Sequence, residues 1–166
     1  MKALGRLFDV GVAVVPVDLG TAASTGKRLH LTNYGGVAIV GFLNNGTAAQ
    51  APVFDVQEHT AASSGTTRDL DVVATYYVKS AATLAGTETW TEVTQAAASE
   101  ITNADWDDAN QVLVVAEVEA TALSADCEWI SVTITDPGTA QVGAALYIMY
   151  DLAIQRAPQN LANPQA

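Results

Sequence analysis

The chain has 166 residues, 49% apolar but only 7% aromatic, with 18 acids against 7 bases and a formal net charge of −11. That length fits one domain able to bury roughly two thirds of its unfolded surface without covalent staples. The lone Cys127 excludes a disulfide framework or thiol pair, and the acid excess argues against direct nucleic-acid or membrane binding.

In chain order, Val10 to Val17 is the first predicted strand. Lys2 and Arg6 precede it, but Asp9 interrupts the apolar stretch and Pro16 ends it, so a signal peptide is not expected. Arg28 to Leu31 and Val37 to Leu43 follow as strands. The second runs into Asn44-Asn45-Gly46, whose Asn-Gly pair favours a hairpin turn because both residues tolerate positive φ. Val53 to Val56 is the next apolar run. A long strand is then expected with Leu70, Val72, Ala74, Tyr76 and Val78 on one face and Asp71, Val73, Thr75 and Tyr77 on the other.

Thr89 to Val93 is a further strand. Thr102 or Asn103 is placed to cap one short helix ending by Asn110, with acids in its first turn where the helix dipole favours them. Val112 to Ala120 begins as a continuous apolar run and then alternates. In Glu128 to Thr135, Ile130, Val132 and Ile134 alternate with small polar residues, and Asp136-Pro137-Gly138 closes the strand with turn chemistry. Val142 to Tyr150 is the last strand.

About nine short strands, built from 30 Ala, 19 Val and 18 Thr, predict an all-β antiparallel sandwich, jelly-roll-like rather than immunoglobulin-like. Residues 1–154 form the sandwich domain, with 1–8 read as an N-terminal arm. Residues 155–166, rich in Pro, Gln and Asn, read as an extended C-terminal arm.

Catalytic apparatus is sparse. His30 and His59 belong to no nucleophilic or metal-binding spacing and read as surface or interface residues. Asp69 with Asp71, and Glu117 with Glu119, read as solvent faces of strands. Asp105, Asp107 and Asp108 lack the Gly and distal Glu of a calcium loop. The glycines of Asn33-Tyr34-Gly35-Gly36 read as turns, and Asn45-Gly46-Thr47 as a hairpin tip. Trp90, Trp106 and Trp129 fall in separate segments and would have to gather on one face to form a sugar platform. Charge is uneven along the chain. Residues 1–79 hold six acids and six bases, whereas 80–166 hold twelve acids and only Arg156, so the second half is expected to face solvent while the first meets a partner.

The stretch Asn110-Gln-Val-Leu-Val-Val-Ala-Glu-Val-Glu-Ala120, then Trp129-Ile-Ser-Val-Thr-Ile134, Asp136-Pro-Gly-Thr139 and Leu146-Tyr-Ile-Met-Tyr-Asp-Leu-Ala-Ile-Gln-Arg156, resembles minor capsid (decoration or cement) proteins of tailed actinobacterial phages over roughly residues 105–162. The resemblance implies a non-enzymatic virion protein without cofactor or metal. It implies a trimer on the capsid exterior, made in the host cytoplasm and clamping the major capsid lattice. Partner contacts would fall at Lys2, Arg6, Leu7, Phe8, Lys27, Arg28, Arg156 and Leu161. The alternative is a carbohydrate- or receptor-binding sandwich on a virion or cell surface.

Overall fold

The computed structural model describes residues 3–44, 51–106 and 110–166. Lys2, the Asn45-Gly46 turn and the 107–109 end of the expected helix lie outside them. Among the described residues twelve strands form two antiparallel sheets packed as a sandwich: β1 (Phe8–Asp18), β2 (Ser24–Thr25), β3 (Leu29–His30), β4 (Gly36–Leu43), β5 (Phe54–His59), β6 (Thr67–Asp69), β7 (Val73–Ala81), β8 (Thr91–Ala98), β9 (Glu100–Ile101), β10 (Gln111–Glu119), β11 (Trp129–Ile134) and β12 (Val142–Tyr150). One sheet runs β1-β12-β4-β10-β7-β8. The other runs β2-β11-β5-β6, with β3 also on β11 and β9 on β5.

The order has a simple origin. β1 pairs with β12, β2 and β3 with β11, β4 with β10, and β5 with β6. These are the rungs of one long antiparallel hairpin, and rolling it up yields the two sheets of a jelly roll. The β7–β8 hairpin, inserted between β6 and β10, extends the first sheet beyond β10. Because strands from both halves of the chain alternate across the first sheet, neither chain half owns a face. The expected division into an acidic solvent side and a neutral contact side is therefore not how the fold distributes charge.

The core lies between the sheets. From the first come Val37, Ile39, Val112, Val114, Tyr147 and Met149, and from the second Phe54, Val56, Ile130, Val132 and Ile134. Its closing plug is Trp106, only 1% exposed and edge-on to Phe54 and Tyr76. This residue sits in a 3-10 turn, Ala104–Trp106, which is the described part of the expected short helix. Asn103 does act at the start of that turn, its side chain accepting the Asp105 N–H.

Two other details differ from the sequence reading. The strand expected from Leu70 begins at Val73, and a register shift between Val73 and Thr75 resets the alternation, so Val73, Tyr76 and Val78 are buried while Ala74 is exposed. β7 advances two residues there while β8 advances four, from Ala98 to Thr94, so the ladder is interrupted by extra residues on β8 where β7 changes the face it buries. Asp69 ends β6, whereas Asp71 lies in the following turn and accepts the Ser99 N–H, so the two do not share a strand face.

Candidate functional site: a terminal seam and two unlike sheet faces

The chain ends meet on one flank. Residues 3–7 form a hook in which the Gly5 N–H donates to Phe8 O and the Leu7 N–H to Ala3 O. Gly5 has φ +80°, and a Cβ there would strike the Arg156 carbonyl, so glycine is required by both conformation and space. The Arg156 N–H donates to Gly5 O at 2.9 Å. Arg6, Leu7 and Arg156 are exposed around this junction, with Phe8 and Leu161 half-buried.

The last residues continue along the open edge of β1. The His30 N–H donates to Pro164 O at 2.9 Å, and the Ala166 N–H to Arg28 O at 3.1 Å. The Gln165 side-chain amide accepts the Val12 N–H at 3.0 Å and donates to Val12 O at 2.6 Å, copying the two bonds a neighbouring strand would make. Gln165 also forms an antiparallel bridge with Leu29. The 155–166 segment thus ties the edge of one sheet to the edge of the other. Beside it runs a groove of about 550 Å³ lined by Val12, Val14, Val17, Thr25, Lys27 and Gln165.

The expected contact residues divide accordingly. Arg6, Leu7, Arg156 and Leu161 gather at the junction of the two ends, and the exposed Lys27 lies beside the chain terminus. Arg28 is engaged internally. Its guanidinium donates to Ala61 O at 2.7 Å, Ser64 O at 2.6 Å and Thr67 Oγ1 at 3.4 Å, which holds the 60–66 loop.

No protein-family model, curated protein or solved structure matches the chain.

His59 departs from the sequence reading. It is 3% exposed, with Nε2 2.8 Å from Ser131 Oγ and Nδ1 3.0 Å from Thr67 Oγ1. Burial pushes its imidazole down to about 4, the Arg28 cation adds to the depression and Glu58 opposes it. A serine beside a neutral histidine is the start of a nucleophile and base. Here, however, Ser131 is 1% exposed, so the pair is sealed from any substrate. Nearby, buried Glu58 accepts the Ser124 N–H and hydroxyl. Arg68 clamps Asp126 through two bonds of 2.8 and 2.7 Å, holding that carboxyl down at about 2. These groups pin the 120–128 loop.

His30 stacks on Trp129 at 4.5 Å between ring centroids, and Trp90 lies under the Lys79 ammonium at 4.8 Å. The three tryptophans are therefore placed on the outside of the second sheet, beside the first sheet's outer face, and in the core. Among the described residues no group of three or more His, Cys, Asp or Glu could hold a metal ion, and no helix is long and apolar enough to cross a membrane.

The two outer faces are chemically unlike. On its outer side the second sheet carries Asp55, Gln57, Trp129 and Thr133 partly exposed, with His59 and Ser131 on the same side but covered, a polar face. Across the first sheet, register-matched neighbours run Val12–Leu146–Val40–Val115–Tyr77 without a polar residue until Glu92. The contact residues expected from the sequence omitted this row. A signal for it was present: β4, β10 and β12 carry apolar residues at both parities, the pattern of strands covered on both faces.

Proposed function

We propose that this chain is a structural virion protein that decorates the outside of an icosahedral phage capsid, binding the assembled major capsid lattice as a homo-oligomer. The observation that carries this reading is the seam at which both chain ends converge on one flank of a rigid jelly roll, flanked by Arg6, Arg156 and Lys27 on a molecule of net charge −11. Jelly rolls serve in viral capsid and lectin domains, and the resemblance over residues 105–162 favours the capsid use. The separate placement of Trp90, Trp106 and Trp129 weighs against a sugar platform.

The physical logic is linkage. A ligand that binds only the assembled lattice stabilises it by mass action and needs no active site. The basic residues give the seam local positive charge for an acidic lattice partner, and Leu7, 69% exposed, supplies an apolar anchor. Co-sedimentation of the full chain with assembled shells and with free capsid subunits tests this. Saturable pelleting with shells alone, weakened at least tenfold by combining Arg6→Glu with Arg156→Glu, is the expected result. No pelleting with shells at tens of micromolar protein would overturn it.

A further inference from the structure

We infer that the outer face of the β1-β12-β4-β10-β7 sheet is a self-association surface, covered in solution by a second copy of this chain. Three cross-strand rows define it. Val12–Leu146–Val40–Val115–Tyr77 spans five strands, flanked by Val10–Ile148–Ala38–Glu117 on one side and Ala144–Phe42–Leu113–Lys79 on the other, with Val142 beyond. Leu146 is 41% exposed and Tyr77 39%, so these side chains stand free of the core. Tyr77, Val115 and Trp90 line a shallow recess of about 320 Å³ at the β7 side.

Isolated apolar residues on a surface are ordinary, but a contiguous apolar sheet face is not. Antiparallel sheets that face water on one side alternate apolar and polar residues, as the second sheet does. Strands covered on both sides become apolar throughout, as β4 and β12 are.

The occupant follows from size and charge. Five strands spaced about 4.8 Å apart, each offering about seven residues at about 3.4 Å rise, outline roughly 570 Å² in plan. Side-chain relief brings the accessible area near the ~800 Å² per partner that a stable protein interface buries. A small ligand would leave most of it uncovered. Polyanions and anionic lipid find one cation there, Lys79, already held against Trp90. A second copy fits the charge pattern: both bodies are strongly acidic, and the face keeps its carboxylates, Glu117 and Glu119, at one end so that like charges stay out of the contact. Interfaces between identical chains are also the more apolar class.

This inference deepens the homo-oligomer of the capsid reading without resting on its lattice contact, and salt separates the two. Association of two acidic bodies through an apolar face strengthens as salt screens their repulsion, whereas binding through the basic seam weakens. Sedimentation velocity on the full chain from about 1 to 100 μM, at low and at 0.5 M salt, tests it. The expected species exceeds the 17.2 kDa chain by a whole number of copies and tightens with salt. Leu146→Asp and, on a different strand, Tyr77→Asp each raise the dissociation constant at least tenfold, while circular dichroism keeps the wild-type β spectrum and Gln57→Asp on the polar face changes nothing. A 17.2 kDa monomer throughout the range, or an oligomer that survives whichever of the two face variants retains the wild-type spectrum, overturns the inference.

Discussion

The hydroxyl of Tyr147, on the inner face of β12, accepts the backbone N–H of Val132 in β11 at 3.0 Å, crossing from one sheet to the other. It donates in turn to Lys27 O at 3.0 Å. The contact falls where β2 has ended and β3 has not begun, so on that side, away from its β5 neighbour Val56, Val132 has no ladder partner; the Gly26 N–H takes the Val132 carbonyl and Tyr147 takes the amide. One phenol therefore fills a break in the sheet from the opposite side of the core.

Tyr147→Phe keeps the ring and removes the oxygen, leaving the buried Val132 N–H and the part-buried Lys27 carbonyl without this partner. Each such orphan costs about 1–3 kcal/mol, so urea unfolding should show a loss of about 2–4 kcal/mol with an unchanged m-value. A loss below about 0.5 kcal/mol would mean that water replaces the hydroxyl without penalty.

Gly41 faces inward from β4, and a Cβ there would collide with the Phe54 ring from the other sheet. Gly41→Ala should destabilise by about 1–3 kcal/mol through overpacking. Combining it with Phe54→Leu should recover part of that loss, because the colliding ring is gone; strict additivity of the two changes would contradict the contact.

The buried His59 makes stability depend on pH. In the unfolded chain its imidazole titrates near pH 6.5, in the folded chain at about 4. Between those values the unfolded state binds more protons, so the stabilisation is present above about pH 6.5 and is lost as pH falls towards 4, by up to about 3 kcal/mol. Urea midpoints from pH 7 to 4 for wild type and His59→Gln should converge on acidification. Parallel curves would show that His59 is not the group responsible.

Gln165 imitates a strand partner for Val12 with one side chain. Gln165→Ala should cost about 1 kcal/mol and speed hydrogen exchange at the Val12 amide, leaving Val132 protected. Unchanged exchange at Val12 would mean the terminus is not held there in solution.

Much of the fold was legible because its strands announce themselves locally. β11 alternates cleanly, β12 is bounded by turn residues, and the Ala, Val and Thr content suits strands rather than helices. Failures occurred where tertiary context overrides local pattern. β7 changes the face it buries at its irregular pairing with β8, and β2, β6 and β9 are too short to carry a period. His59 is buried by Arg28 and the 60–66 loop, and Ser131 fixes its ring from the adjacent strand; neither relationship leaves a trace in sequence spacing. The candidate site was half legible. Charge and the unusual ends pointed to Arg6, Arg156 and Lys27, but not to the pairing of Gly5 with Arg156 that joins them. Both-parity apolar runs in β4 and β12 were visible, but such a run does not by itself tell a strand covered by its own chain from one with an exposed apolar face.

Decoration of an assembled shell is tested most directly by cryo-electron microscopy of the phage shell, with this chain added and with it omitted. The expected result is jelly-roll density on the outer surface at full symmetry-related occupancy, with residues 3–8 and 155–166 turned towards the lattice, present only when the chain is added. Shells with a bare exterior at saturating protein would contradict it.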